Sequence, residues 1–111
     1  AAAVAGAKVV RLYLRAPAPG VAVAEATDGH APPALVARAR QLSDDPTAAR
    51  TLLEEALRLR PEAEVAAEAH YLLAGLVRDS EPDLARREYE ASRALDPRRY
   101  AEAVDRILGR R

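Results

Sequence analysis

The side chains that could bind a metal or transfer a proton are few in this 111-residue chain. Its only histidines are His30 and His70. No second histidine, cysteine or carboxylate stands at ligand spacing around His70, so a packed or half-exposed helix residue is the default interpretation. The chain has no cysteine, which excludes a disulfide framework and a thiolate metal site. We therefore expect no metal and no cofactor.

The three serines do not form a nucleophilic site. Ser43, Ser80 and Ser92 have no base at any motif spacing, and no glycine-rich phosphate loop is present. Ser43 and Ser80 lie in turn-like stretches, whereas Ser92 occupies a position that requires a small side chain. The sequence therefore predicts a protein that is not an enzyme.

The charges of the chain are balanced, with 17 Lys and Arg against 17 Asp and Glu. A neutral chain gives no electrostatic case for nucleic acid or an anionic membrane surface as the main partner. Sixteen of the 17 cations are arginine, which together with abundant alanine and proline indicates a GC-rich genome rather than phosphate binding. The partner expected is a protein or a peptide.

The chain begins with an apolar segment, residues 1–15, and continues with a Pro- and Gly-rich linker, residues 16–33. The first segment fits a helix or an extended arm, because alanine favours helix whereas "KVVRLYLR" alternates. It is the terminal helix of the domain, an arm on a neighbouring subunit, or the end of a membrane anchor. As an arm it would use four side chains: Val10, Leu12, Tyr13 and Leu14.

Helical periodicity and proline punctuation extend from Ala34 to the end of the chain. Pro46 and Pro82 stand at predicted helix starts, and Pro61 and Pro97 follow predicted helix ends. About five helices are expected, four of them in two hairpins and the last alone. Three exposed ion pairs are expected at i,i+4 spacing: Glu54–Arg58, Asp83–Arg87 and Glu102–Arg106.

Two stretches of the helical region match each other 36 residues apart. Small, large and proline positions recur in the same order. The matched sets are Ala49, Leu53, Ala56, Leu59 and Pro61, and Ala85, Tyr89, Ser92, Leu95 and Pro97. Internal repeats of this length are typical of helical solenoids.

This spacing resembles the second helix of a tetratricopeptide repeat, and "AEAHYLLAGLV", ending at Val77, resembles the matching first helix. The resemblance covers about residues 34–111. It implies an all-α, helical-hairpin solenoid of two repeats with a capping helix. The chain departs from the family pattern at Pro32 and Pro33, in a short turn "RDSEPD", and in about three extra residues within 62–66.

The resemblance also implies a concave surface, lined by the first helix of each hairpin, that binds a peptide or a partner protein. By the family's pattern, Arg38 and Arg78 could hold a carboxylate through forked hydrogen bonds, and Tyr71 gives an amphipathic contact. The residues implied on this surface are Arg38, Arg40 or Gln41, Glu68, Tyr71, Gly75 and Arg78.

Three functions follow from these expectations. A solenoid of two repeats is shorter than the three usually needed for stability. The first hypothesis is therefore a small assembly subunit, which packs against copies of itself or a larger complex. The alternatives are a monomeric peptide-binding adaptor and the soluble domain of a membrane-anchored protein. The sequence leaves the compartment open between cytoplasmic and membrane-tethered or exported.

Overall fold

The computed structural model describes residues 29–110, and this part of the chain is all-helical, without a strand. The segment 1–15, its four arm residues Val10, Leu12, Tyr13 and Leu14, and the linker up to residue 28 lie outside the described residues. The described helices are α1 (Pro32–Arg40), α2 (Pro46–Arg58), α3 (Ala63–Val77), α4 (Pro82–Leu95) and α5 (Pro97–Ile107).

Proline begins four of the five helices. It suits the first turn because its φ is already helical and its missing N–H would have no partner there. Pro32 therefore begins α1, two residues before the expected start at Ala34. At α2 the Asp45 carboxylate also accepts a hydrogen bond from the Ala48 backbone N at 3.2 Å, as an N-cap residue does.

The two matched Leu-x-Pro triplets form different connections. In the first, Arg60 adopts the left-handed conformation with φ of 56°, and α3 begins only at Ala63. In the second, Asp96 has a φ of −146°, and it is both the C-cap residue of α4 and the N-cap residue of α5. The connection after α2 is therefore longer, which accommodates the extra residues in the first repeat.

Helix α3 contacts all four other helices. Consecutive helices pack against each other along the chain, and α1 also packs against α3. Helix α5 reaches α3 through Tyr100, whose ring stacks on Tyr71 with centroids 4.8 Å apart. The core is accordingly divided into two clusters that share α3.

The buried positions follow the repeat. Leu53 and Tyr89, the matched large residues, are 1% and 4% exposed. The small residues Ala56 and Ser92 are fully buried, and the Ser92 hydroxyl donates to the Tyr89 carbonyl at 2.7 Å. The next matched pair differs from this pattern: Leu59 and Leu95 are the exposed large apolar side chains of the described residues.

The α4–α5 contact is tied by two forked ion pairs. Arg93 donates to both carboxylate oxygens of Asp105 at 2.8 and 3.0 Å. Arg110 bonds both oxygens of Glu90 in the same way. These hydrogen bonds hold the pKa of Asp105 and the pKa of Glu90 below their usual values.

We predict that Arg60→Gly raises the free energy of unfolding by about 0.5–1 kcal/mol. Arginine at positive φ costs roughly 1–2 kcal/mol, and the greater freedom of unfolded glycine offsets part of the gain. Chemical denaturation measures the change. The matched control is Asp96→Gly, at the corresponding site with negative φ, which should destabilise. Equal effects at the two sites would contradict the assignment of strain to Arg60.

We predict that Asp105→Asn makes stability less dependent on pH. Because the pKa of Asp105 is lower in the folded state, its contribution is full above the unfolded-state pKa of about 4 and is lost as pH falls through the folded-state value. Between pH 7 and 2.5 the melting temperature of the variant should therefore fall less than that of the wild type. Glu102→Gln is the control, since Glu102 is 91% exposed and lies 3.7 Å from Arg106. If the melting temperatures of Asp105→Asn and the wild type fell in parallel, the Arg93–Asp105 ion pair would not stabilise α5.

Candidate protein-interaction surface

One face of α3 is only partly covered by the other described helices. Glu68, Tyr71, Gly75 and Arg78 recur at helical spacing and form a line along this face, which we call the α3 stripe. Glu68 and Tyr71 are half-buried, whereas Gly75 and Arg78 are exposed. The rest of the helix surface holds the buried side chains of α3: Ala66, Ala67, Ala69, Leu73, Ala74 and Val77.

Tyr71 is the accessible member of a group of three tyrosines. Its ring stacks on Tyr100 and meets Tyr89 edge-on, with centroids 5.5 Å apart. Tyr89 and Tyr100 are buried. This tyrosine trio joins α3, α4 and α5, and it holds the Tyr71 ring in a fixed orientation at the surface.

Two arginines flank the tyrosine trio. Burial raises the pKa of Tyr89 and the pKa of Tyr100, and the nearby charges of Arg78 and Arg99 respectively oppose these shifts. The Arg99 guanidinium carbon lies 5.2 Å from the centroid of the Tyr100 ring, at cation–π distance. Both phenols therefore stay protonated at neutral pH, and the charge beside the trio is that of the guanidinium groups.

The acidic end of the α3 stripe is already neutralised. Arg40 of α1 donates to one carboxylate oxygen of Glu68, whose side chain is only 17% exposed. Arg38 and Gln41 are exposed on α1, and the structure shows no side-chain bond from either to α3. Residues 38 and 40 are about 200° apart around a helix, so Arg38 cannot share the direction of Arg40. Of the residues expected on one concave surface, the structure lines up those of α3 and places Arg40 of α1 against Glu68, whereas it shows no such contact for Arg38 or Gln41.

Gly75 forms a gap in the α3 stripe between Tyr71 and Arg78. A Cβ atom built there would meet nothing within 4 Å. Glycine inside a helix costs about 1 kcal/mol relative to alanine, and no close packing within the described residues requires it at this position. The sequence pattern alone gave no sign that this glycine was free of contacts.

His70 lies outside the α3 stripe. Its Nδ1 is 2.5 Å from Glu88 Oε1 of α4, and both side chains are largely buried. The pair connects the two helices of the second hairpin, in keeping with a packed helix residue. In the part of the chain that the structure describes, no three metal-ligating side chains cluster.

No protein-family model, curated protein or solved structure matches this chain. Within residues 29–110, every helix is too short or too polar to cross a bilayer.

We predict that Gly75→Ala raises the free energy of unfolding by about 0.5–1 kcal/mol, because alanine favours helix and the space is open. Gly75→Gln should stabilise in the same direction, since glutamine is also a good helix former. Urea denaturation of both variants measures the gain. A loss of stability in either one would show that the site is not open.

Proposed function

We propose that this protein is a non-enzymatic protein-interaction module, a short tetratricopeptide-like solenoid that binds its partner on the α3 stripe. One observation carries the proposal. Helix α3 contacts all four other helices, yet its stripe keeps part of an ordered aromatic ring, a gap and an arginine exposed to solvent. A rigid helix with an open, chemically mixed face is suited to recognition.

The tetratricopeptide-like arrangement is supported by the helix contacts. In that family the first helices of successive hairpins lie side by side and line the binding surface. Here α1 packs against α3, and α5 reaches α3 through the contact between Tyr100 and Tyr71. The matched buried residues of α2 and α4 support the same interpretation, since each second helix uses one small and one large residue for its packing.

The residues of the α3 stripe suit binding better than catalysis. Its one carboxylate, Glu68, is bonded to Arg40. The buried phenols beside it have raised pKa values and stay protonated. What remains accessible is an aromatic surface, a gap and guanidinium donors, which provide contact area and hydrogen bonds to a partner.

An assembly subunit is the second candidate, and the composition of the core favours it. Eight of the sixteen buried apolar side chains are alanine, which limits the area that each helix pair buries. A neighbouring copy would then add stability, with Val10, Leu12, Tyr13 and Leu14 as the contact residues of the arm. Leu59 and Leu95, the exposed large apolar side chains of residues 29–110, are too few for a broad apolar interface of the described helices. A membrane-tethered domain, anchored through residues 1–15, has no comparable observation in its favour.

Site-specific photocrosslinking tests the proposal. The photoreactive residue p-benzoylphenylalanine replaces the exposed Asp79 of the full chain, which follows Arg78 and leaves the gap at Gly75 open, and it is placed at position 87 as the control. Arg87 is exposed and lies two residues from Tyr89, on another face of α4. In a lysate of the source organism, position 79 should give a discrete product that excess unmodified protein competes away.

The products also distinguish the two candidates. A product with a different protein supports the interaction module, whereas a product between two copies supports the assembly subunit. Equal labelling at positions 79 and 87, or no specific product at position 79, would contradict a binding role for the α3 stripe.

A further inference from the structure

We propose that a second copy of this chain inserts the side chain of Leu95 into an apolar cavity between α1, α2 and α3. The cavity and Leu95 lie on different parts of the molecule, so the contact joins two copies head to tail. None of its contact residues belongs to the α3 stripe, and the inference does not depend on the proposed function.

The cavity has a volume of about 120 Å³ and a mostly apolar wall. Arg40 and Ser43 are its exposed lining residues, and they mark where it opens to solvent. An apolar cavity of about 150 Å³ binds benzene, so this volume accommodates the smaller isobutyl group of a leucine. The apolar side chains of the wall come from all three helices and the α1–α2 turn: Ala39, Leu42, Ala49, Leu53, Leu72 and Leu76.

Two leucines of the described residues are exposed enough to fill such a cavity. Leu59 is 46% exposed and Leu95 is 39% exposed. Leu95 ends α4, whereas the cavity borders Leu76 near the α3–α4 turn. From that turn to Leu95 the helix rises by roughly 20 Å. Leu95 therefore cannot fill the cavity of its own chain, and only another copy can place it there.

The surroundings of Leu95 are cationic. Arg98 and Arg99 follow it at the start of α5 and are both exposed, against one carboxylate, that of Asp96. The ion pairs of α4 and α5 use other residues, whose charges cancel in pairs. Two arginines against one carboxylate leave a net positive charge beside this leucine.

The surroundings of Leu59 have the opposite balance. Arg58 is bonded to a carboxylate of its own helix, which leaves Arg60 against Glu62 and Glu64. All three of these side chains are exposed. The matched leucine of the first repeat therefore stands in an acidic environment.

The opening of the cavity is acidic as well. Asp44 and Asp45 lie in the turn between α1 and α2, directly after the lining residue Ser43. Arg40 and Arg50 are bonded to carboxylates. With Arg38 as the unpaired cation nearby within residues 29–110, two carboxylates stand against one arginine. Opposite charges favour association and like charges oppose it. Charge complementarity therefore selects Leu95 over Leu59.

The contact is small. A stable interface buries about 1,600 Å² in total, far more than one leucine and the charges beside it. The association should therefore be weak and dependent on concentration. Because the two patches differ, the contact leaves one free Leu95 and one free cavity in each pair, so further copies can add.

Sedimentation equilibrium of the full 111-residue chain, from about 10 µM to about 1 mM, tests the contact. The average mass should rise above that of the monomer across this range. Leu95→Ser should weaken the association about tenfold, whereas Leu59→Ser, at the matched position, should leave it unchanged. Asp44→Lys should weaken it about threefold. The unfolding midpoint of each variant shows that the chain is folded.

A mixing experiment tests the head-to-tail geometry. Ser43→Trp covers the opening of the cavity and should prevent association, whereas Thr51→Trp places the same ring on the opposite face of α2 and should not. Chains with Leu95→Ser keep an open cavity, and chains with Ser43→Trp keep Leu95. Each variant alone should stay monomeric, but a mixture should form a one-to-one pair that does not grow further.

The proposal is overturned by a monomer at millimolar concentration, by unchanged association in Leu95→Ser or Asp44→Lys, by an equal loss in Leu59→Ser, or by no pair in the mixture. The last result would indicate a symmetric contact between two Leu95 side chains instead. Photocrosslinking of a different protein at position 79 reports on the α3 stripe independently, so the two proposals can fail separately.

Discussion

The close packing of α3 is the constraint on which the rest of the described structure depends. A helix surrounded by neighbours on several sides must carry small side chains, because helix axes approach to 8–10 Å only when the contact residues permit it. Ala67, Ala69 and Ala74 are completely buried on α3. The alanines that permit these contacts also limit the apolar area in the core. The domain therefore needs further interactions between its helices.

Polar contacts between helices supply these interactions. Arg40–Glu68 joins α1 to α3, Arg50–Glu81 joins α2 to the residue before α4, and His70–Glu88 joins α3 to α4. Surface ion pairs contribute little individually. Their value here is geometric, since each holds one element in position relative to another. The forked Arg93–Asp105 pair does the same for α5.

The helices and most of the core were predictable from the sequence, because proline position and apolar spacing act locally. Leu53, Tyr89 and Ser92 are buried as the matched pattern predicted. The connections were not, since the same Leu-x-Pro triplet gives a left-handed Arg60 in one repeat and an Asp96 with a φ of −146° in the other. That choice depends on where the next helix must begin, which is a tertiary requirement.

Side-chain partners were predicted less well for a similar reason. Of the three i,i+4 ion pairs expected, Glu102–Arg106 forms, whereas Glu54 bonds to Arg50 and Asp83 to Arg86. Several partners of opposite charge stand within reach on an exposed helix, and their energies differ by only a few tenths of a kcal/mol. The tyrosine trio was also missed, because Tyr71, Tyr89 and Tyr100 lie on three helices and no local pattern relates them.

The position of the α3 stripe follows from the same close packing of α3 that limits the apolar area of the core. A glycine in the middle of a helix weakens it, and a peripheral helix with few contacts tolerates this poorly. Helix α3 packs against its neighbours elsewhere along its length, and this packing offsets the helix propensity lost at Gly75. The helix best fixed by its surroundings is therefore the one that presents an open gap beside a fixed aromatic ring. A surface on such a helix loses little conformational freedom when a partner binds. The packing of α3 thus explains both why the core is rich in alanine and why this face is suited to recognition.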